Sequence, residues 1–433
     1  MPEGLTRTLV KRRGQAYDLR EHPSIPEPAA MVRFLAENRR WLSTGVLLAL
    51  GACLGHTWFI ALFAGEIRAE YGLSDGQWGL LYTAATLASA ALLFGRGGWA
   101  DTVPLSRLAP ILAMVFAGAA LLMAFGQTIW LLGVAVFLLR FCGQGMFSHM
   151  QQTAMARWFV ATRGRAMAIA NLGYTTGQIL LPLPAVLVMG WIGWRGGWIV
   201  VAAILLVVIL PLLVWLLRQD RTPQGATGGI PGAPGLGGRH WQRRDALRHW
   251  LFWALVPLML TPGYIGTVVF FHQVHVAEVK GWSLVAMAPA YPAWALSEVA
   301  AAFAAGWVAD RFGPARLLPL AALPMGLGIA MIGMGDSPLA WIVAIGLIGV
   351  TQGIANTIWG TLLPATYGTD HIGSVRAVAS AVLVVSTALG PGMGGVIIDA
   401  GIPVPDQAGV MAIWCLGLSL AMLAVMRRIL RAP

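Results

Sequence analysis

Beyond residue 40 the chain alternates long apolar runs with short polar breaks. About 20 apolar residues in a helix cross the ~30 Å hydrocarbon layer of a bilayer. Runs of that order occur twelve times, near residues 41–64, 76–96, 106–126, 128–150, 166–190, 197–217, 249–276, 284–308, 315–335, 337–358, 375–398 and 408–427. The pattern predicts an all-α integral membrane protein of twelve transmembrane helices. The third, sixth, ninth and twelfth runs, "WIVVAAILLVVILPLLVWLL" among them, carry no His, Asn, Gln or ionisable residue in their middles, whereas the first, fourth, fifth, seventh, eighth and tenth do. A polar side chain facing lipid is costly, so every third helix is expected at the periphery and the others around a hydrated centre.

Helical spacing gathers the polar residues into stripes. The fourth span aligns Arg140, Gln144, Phe147 and Gln151, and the fifth aligns Asn171, Thr175 and Gln178 with Tyr174 beside them. In the seventh span Tyr264, Phe271 and His275 fall on one face with His272 adjacent; the eighth aligns Tyr291, Trp294 and Glu298, and the tenth carries Gln352 and Asn356 one turn apart. Both halves of the chain contribute stripes, as a central cavity between two bundles requires.

A single offset of 209 residues, without a gap, pairs Gly97 with Gly306, Asp101 with Asp310, Arg107 with Arg316, and Gly72 and Ser74 with Gly281 and Ser283. It superposes the phrase "GGWADTVPLSR" (97–107) on "GWVADRFGPAR" (306–316) and maps the first six spans onto the last six. Two six-helix bundles related by a pseudo-twofold axis are the expected result. The organisation read from the sequence is a tail at 1–40, a bundle at 41–217, a linker at 218–248, a second bundle at 249–428 and a short tail at 429–433. The linker, with seven Gly between Gly225 and Gly238, is too poor in apolar residues to fold and reads as flexible.

Composition narrows the class. With 58% hydrophobic residues and a mean hydropathy of +0.71, the chain is too apolar for a water-soluble surface. Its net charge of +11 does not point to nucleic acid. If both termini are cytoplasmic, all but four of the 29 Lys and Arg fall on that side; Arg68, Arg195 and Lys280 lie outside and Arg140 lies within a span. That bias is the positive-inside rule. The basic tail lacks the apolar core of a cleaved signal peptide, so it is expected to be a cytoplasmic extension. Cys53, Cys142 and Cys415 sit in apolar runs with neither disulfide nor metal spacing, and no nucleotide fingerprint, catalytic triad or cofactor motif is present.

The repeated G-x-x-x-D phrase after the second and eighth spans resembles the signature loop of the major facilitator superfamily, and "RFCGQG" (140–145) resembles its fourth-helix motif. "RGRAMAIANLGYTTGQILLP" and "GWRGGW" are similar to the surroundings of the fifth helix in its monocarboxylate and oxalate/formate branches. The resemblance runs from about Trp41 to Arg428. It implies alternating access, with Gly97, Asp101, Arg107, Gly306, Asp310, Arg311 and Arg316 as a gating latch at the cytoplasmic mouth; plain loop ion pairs are the alternative. The first copy departs from the family phrase at Thr102 and Pro104. The eighth span has Glu298 where monocarboxylate transporters place an acid, but Ala301 and Ala302 where their Arg follows.

A charge at the membrane centre costs roughly 2.5 to 3.5 kcal/mol, which something must offset. Arg140 is accordingly expected to anchor an anionic substrate, or else to form a structural ion pair, and Glu298 to exchange a proton. His56 and His272 are candidates for proton or carboxylate contact, with His56 as a packing residue and His275 as a hydrated one the plainer readings. Asn171, Tyr174, Gln178, Tyr264, Tyr291, Trp294 and Asn356 are expected to shape the pocket. The expected protein is a secondary transporter of a small organic anion such as a monocarboxylate, coupled to a proton, with no cofactor and no metal, monomeric in a bacterial inner membrane. A proton-antiporting exporter of amphipathic compounds is the rival within the class. An integral-membrane transferase or a sensor is the rival outside it, each disfavoured by short loops and the lack of a soluble domain.

Overall fold

The computed structural model describes residues 28–96, 98–159, 162–219, 235–238, 241–368 and 372–431. Among these residues the regular structure is helical throughout. Among the described residues nine helices are long and apolar enough to cross a membrane, ten if the bent pair Val32–Cys53 and Thr57–Tyr71 forms one span. Helices also run where the fifth and eighth spans were expected, at Arg163–Leu180 and Ala290–Phe312, but neither is among those nine. Both carry the polar stripes read from the sequence. The helix Pro182–Ala203 is broken at Gly193, whose φ of 75° and ψ of 167° are open to glycine at little cost, so the fifth span ends there and the sixth begins.

The 209-residue offset is visible as repeated local geometry. Helix Ala64–Tyr71 and helix Gln273–Lys280 correspond residue for residue, and each ends on a left-handed glycine, Gly72 (φ 63°) and Gly281 (φ 67°). Ser74 and Ser283 then accept, through their hydroxyls, the backbone N–H three residues on, the usual service of a serine at a helix start. The Tyr71 hydroxyl donates to the Gly126 carbonyl, and at the equivalent place the Lys280 ammonium donates to that of Gly335. Helices Leu105–Phe125 and Pro314–Met334 coincide under the same shift. The two loops of the signature phrase differ where the sequence differs: Gly313 takes φ 87°, which Pro104, at φ −54°, cannot.

Small residues set the seams. A Cβ at Gly173 would lie 2.1 Å from the Val46 carbonyl oxygen and one at Gly177 2.5 Å from Cys53 Sγ, so the fifth span can lie against the first only with glycine there. Gly349 and Gly353 bring the tenth span onto the eighth in the same way, against the carbonyls of Trp294 and Glu298. Across the two halves, the "GPGMGG" run meets the second span: Gly392 donates to Thr83 Oγ1, and a Cβ at Gly395 would sit 2.4 Å from the Asp75 carbonyl. The third, sixth, ninth and twelfth spans all present exposed apolar side chains, such as Met114, Val207, Leu327 and Val410, suited to lipid.

Two stretches differ from the sequence reading. The first helix begins at Pro28, within the stretch read as tail. The later part of the linker is docked: Gly235 packs on the Thr366–Gly368 backbone, Trp241 N–H donates to the Tyr367 carbonyl, and Arg243–Arg248 forms a helix. Aromatic Trp241 and apolar Leu247 provide the burial that the glycines lack. Gly225 and its neighbours up to residue 234 lie outside the described residues.

Candidate functional site

The first span breaks after Cys53 and resumes at Thr57, bending by 43°. Opposite the break, the fourth span turns π-helical over Arg140–Phe147. Irregular backbone of this kind inside a membrane helix recurs at functional places, because it releases polar groups into the interior. Glycine makes the juxtaposition possible, since a Cβ on Gly55 would fall 2.3 Å from the Leu139 carbonyl and 2.8 Å from Gly143 Cα.

Arg140 emerges from this contact. It is 4% exposed, donates through Nη1 to the Gly55 carbonyl at 3.2 Å and to Gln144 Oε1, and lies 5.4 Å from the centre of the Tyr82 ring. Its Nε has no hydrogen-bond partner, and it makes no ion pair among the described residues. The π-turn also changes the stripe read from the sequence. An extra residue in the turn rotates the remainder of the helix, so Phe147 is buried against Phe116 and Gly51 and leaves the polar face. Gln151, fully buried, donates to Asn171 Oδ1 at 3.3 Å.

In the second half, Asn356 donates to Glu298 Oε1 at 3.1 Å and accepts from Gln352 at 3.2 Å. Glu298 is half-buried and, like Arg140, has no oppositely charged partner among the described residues. The eighth span, which carries it, touches the fifth, which carries Asn171, Tyr174 and Gln178. Between the two charges runs a row of rings: Tyr174 to His56 (5.7 Å between centres), His56 to Trp58 (6.4 Å), Trp58 to Tyr291 (5.4 Å), Tyr291 to Phe270 (5.9 Å) and Phe270 to Trp294 (4.5 Å). Trp294 stands one turn before Glu298.

Not every candidate points the same way. The Tyr291 hydroxyl donates to Gln273 Oε1 at 2.7 Å, and Tyr291 is 2% exposed. His272, equally buried, is held between Pro391 and Asp75. Gln273 in turn donates to the Trp58 carbonyl at 3.1 Å, so both His272 and the Tyr291–Gln273 pair border the seam between the halves. Tyr264 and Gln178 are half-buried, and His56 Nε2 is buried with no hydrogen-bond partner among the described residues. Of the latch candidates, Gly97 and the side chain of Asp101 lie outside the described residues. Arg107, Asp310, Arg311 and Arg316 are exposed; Arg311 lies over Trp307 and Phe312, Arg316 donates to the Phe312 carbonyl, and Asp310 makes no ion pair among the described residues. A carbon at Gly306 would meet nothing within 4 Å.

The opposite end of the molecule holds a cluster that the sequence reading missed except for its histidines. Asp75 Oδ2 lies 2.6 Å from Arg68 Nη1, Arg68 Nη2 lies 3.0 Å from Glu278, and Asp399 accepts from Ser74 Oγ at 2.6 Å and from Gly76 N at 3.0 Å. Arg68 and Asp75 come from the first half, and Glu278 and Asp399 from the second. Only the 209-residue repeat could have drawn notice to this end, by marking Gly72 and Ser74.

Arg140 and Glu298, each without an oppositely charged partner among the described residues, lie beside the row of rings in a chain of duplicated helical halves. Residues 45–391 and 291–431 match the Major Facilitator Superfamily, and the chain belongs to it. It is 30% identical over 147 residues to the "Probable sulfoacetate transporter SauU" of Cupriavidus necator, covering 34% of this chain and 34% of that one. It is 25% identical over 256 residues to "Monocarboxylate transporter 13" of Bos taurus, covering 58% and 57%. The chain thus matches only part of the length of either relative. Among solved structures, the fold is similar to that of the nucleoside transporter NupG (TM-score 0.64, 14% identity, 90% of this chain and 99% of that one). It is also similar to that of a bacterial homologue of the lysosomal transporter Spinster in an inward-facing, unoccupied conformation (0.61, 18%, 90% and 94%).

Proposed function

We propose that this transporter moves a small organic anion, such as a monocarboxylate, together with a proton, by alternating access. The observation that carries the reading is Arg140: a guanidinium almost wholly buried in a membrane helix, with two contacts to neutral oxygens and, among the described residues, no carboxylate to offset its charge. An anion bound there would supply the missing countercharge, and the planar fork suits a carboxylate or sulfonate. Glu298, held by the neutral Asn356, serves as the proton carrier, being a titratable group in the interior with no cation beside it among the described residues. The names of the two partial relatives, one for sulfoacetate and one for monocarboxylates, agree with an anionic cargo. We take the chain to act as a monomer in a bacterial inner membrane with its termini in the cytoplasm, in keeping with the distribution of Lys and Arg.

Uptake into proteoliposomes tests this reading, with a panel of radiolabelled carboxylates, sulfonates and neutral analogues presented with and without a pH gradient. Accumulation of an anion that collapses with the gradient supports it. Transport restricted to neutral or cationic compounds removes it.

A further inference from the structure

We propose that the end of the twelfth span, Val404–Arg431, is the seat of one anionic phospholipid, with Arg427 and Arg431 on its phosphate and Leu420 and Leu423 along its chains. The proposal does not depend on what the transporter carries. Leu420, Leu423, Ala424, Arg427, Arg428 and Arg431 line an open groove of about 580 Å³. Their spacing puts them on one side of the helix, because steps of three, four and seven residues return to the same face. That face is apolar as far as Ala424 and cationic from Arg427 onward. A phospholipid presents its parts in the same order.

Depth in the bilayer follows from length. At roughly 1.5 Å per residue Arg427 stands about 35 Å along the helix from Val404, beyond the ~30 Å of hydrocarbon and level with the headgroups. Two tryptophans mark the same level. Trp250 opens the seventh span, and Arg428 lies over its ring at 4.0 Å from the centre. Trp253, almost one turn on, is 59% exposed and donates its indole N–H to the Leu247 carbonyl. Amphipathic indoles of this kind gather at the boundary between membrane and water. Leu420, 71% exposed, lies two turns deeper, among the chains. The groove thus sits on the linker side, at the end away from the far mouth where Arg68 meets Glu278.

Charge selects the headgroup. Arg427 and Arg431 are exposed, one turn apart, and neither forms an ion pair among the described residues. Like charges at that spacing repel each other. One cation would answer the negative pole of the helix end, so three within five residues leave positive charge to spare. A phosphate between the two guanidiniums offsets it, accepting from their planar forks. No carboxylate lines the groove to receive the ammonium of a zwitterionic lipid, so a headgroup of net negative charge fits it better.

Native mass spectrometry of the full chain in detergent tests the seat, with phosphatidylglycerol, phosphatidylcholine and inorganic phosphate added in turn. The expected result is one phosphatidylglycerol retained at concentrations where phosphatidylcholine is not. Arg427→Gln combined with Arg431→Gln should weaken that binding roughly 25-fold, about fivefold for each arginine at the membrane surface. Arg39→Gln combined with Arg165→Gln, which removes two exposed arginines of the first half, should leave it unchanged. Equal retention of the two lipids by the wild type would overturn the proposal, and so would two double variants that bind phosphatidylglycerol alike. Inorganic phosphate bound as well as phosphatidylglycerol would also overturn it, making the groove a site for a free anion. The comparison of lipids in the wild type stands even if a variant fails to fold.

Discussion

Arg140 donates to the Gly55 carbonyl at 3.2 Å where the first span is broken and the fourth turns π-helical. The contact depends on backbones that touch at Gly55 and Gly143, so the charge is placed by the absence of two side chains. Gly55→Ala should therefore force the two helices apart, at a cost of about 1 to 3 kcal/mol typical of overpacking. Thermal unfolding in detergent should show a lowered midpoint. An unchanged midpoint would mean that the close approach is dispensable.

The pairing of Arg68 in the first half with Glu278 in the second should hold the far mouth closed. Arg68→Gln removes that contact between the halves and leaves the nearly buried Asp75 without its cation. The closed-to-open ratio should fall by up to about fivefold, from the ~0.2 to 1 kcal/mol of an exposed pair, read as a longer distance between spin labels at Ala69→Cys and Val279→Cys. No lengthening would make the cluster a surface ornament, its exposed pair worth little.

How far could the sequence be read? Periodicity found the helices, and the 209-residue offset found the duplication down to the caps at Gly72 and Gly281, because both are local or repeated features. The spans that failed a simple apolarity test, the fifth and eighth, are those whose polar residues gather at the bundle interface. What stayed illegible was tertiary. Ideal helical spacing put Phe147 on the polar face, since a π-turn leaves no mark in hydropathy. Nothing in the sequence pairs Asp75, Arg68 and Asp399, and only the folded chain brings residues more than 300 positions apart together at Ser74 and Asp399. The linker after Gly235 looked flexible until Trp241 found the end of the tenth span.

Asp310 is exposed and makes no ion pair among the described residues in this conformation. If it closes a latch in the alternate state, Asp310→Asn should leave the stability of the present state within about 0.5 kcal/mol. It should also favour opening of the mouth near the signature loops. Labelling of an engineered cysteine near that mouth should accelerate; unchanged labelling would reduce Asp310 to a loop residue.

Glu298→Gln keeps the hydrogen bond to Asn356 available but removes the titrating group. Accumulation driven by a pH gradient should be lost while exchange of labelled for unlabelled cargo persists. Loss of both together would show that Glu298 is needed for folding or binding rather than for coupling.

The central claim is that Arg140 recognises a negative charge, and Arg140→Gln tests it most directly when binding is measured for an anion and for its neutral isostere. The account predicts that affinity for the anion falls roughly 10- to 150-fold, from the 1.5 to 3 kcal/mol of a charged hydrogen bond. Affinity for the isostere should change little, and Arg140→Lys should recover part of the loss by restoring the charge without the fork. A wild-type protein that binds anion and isostere equally well, or a variant that loses both in equal measure, would contradict it.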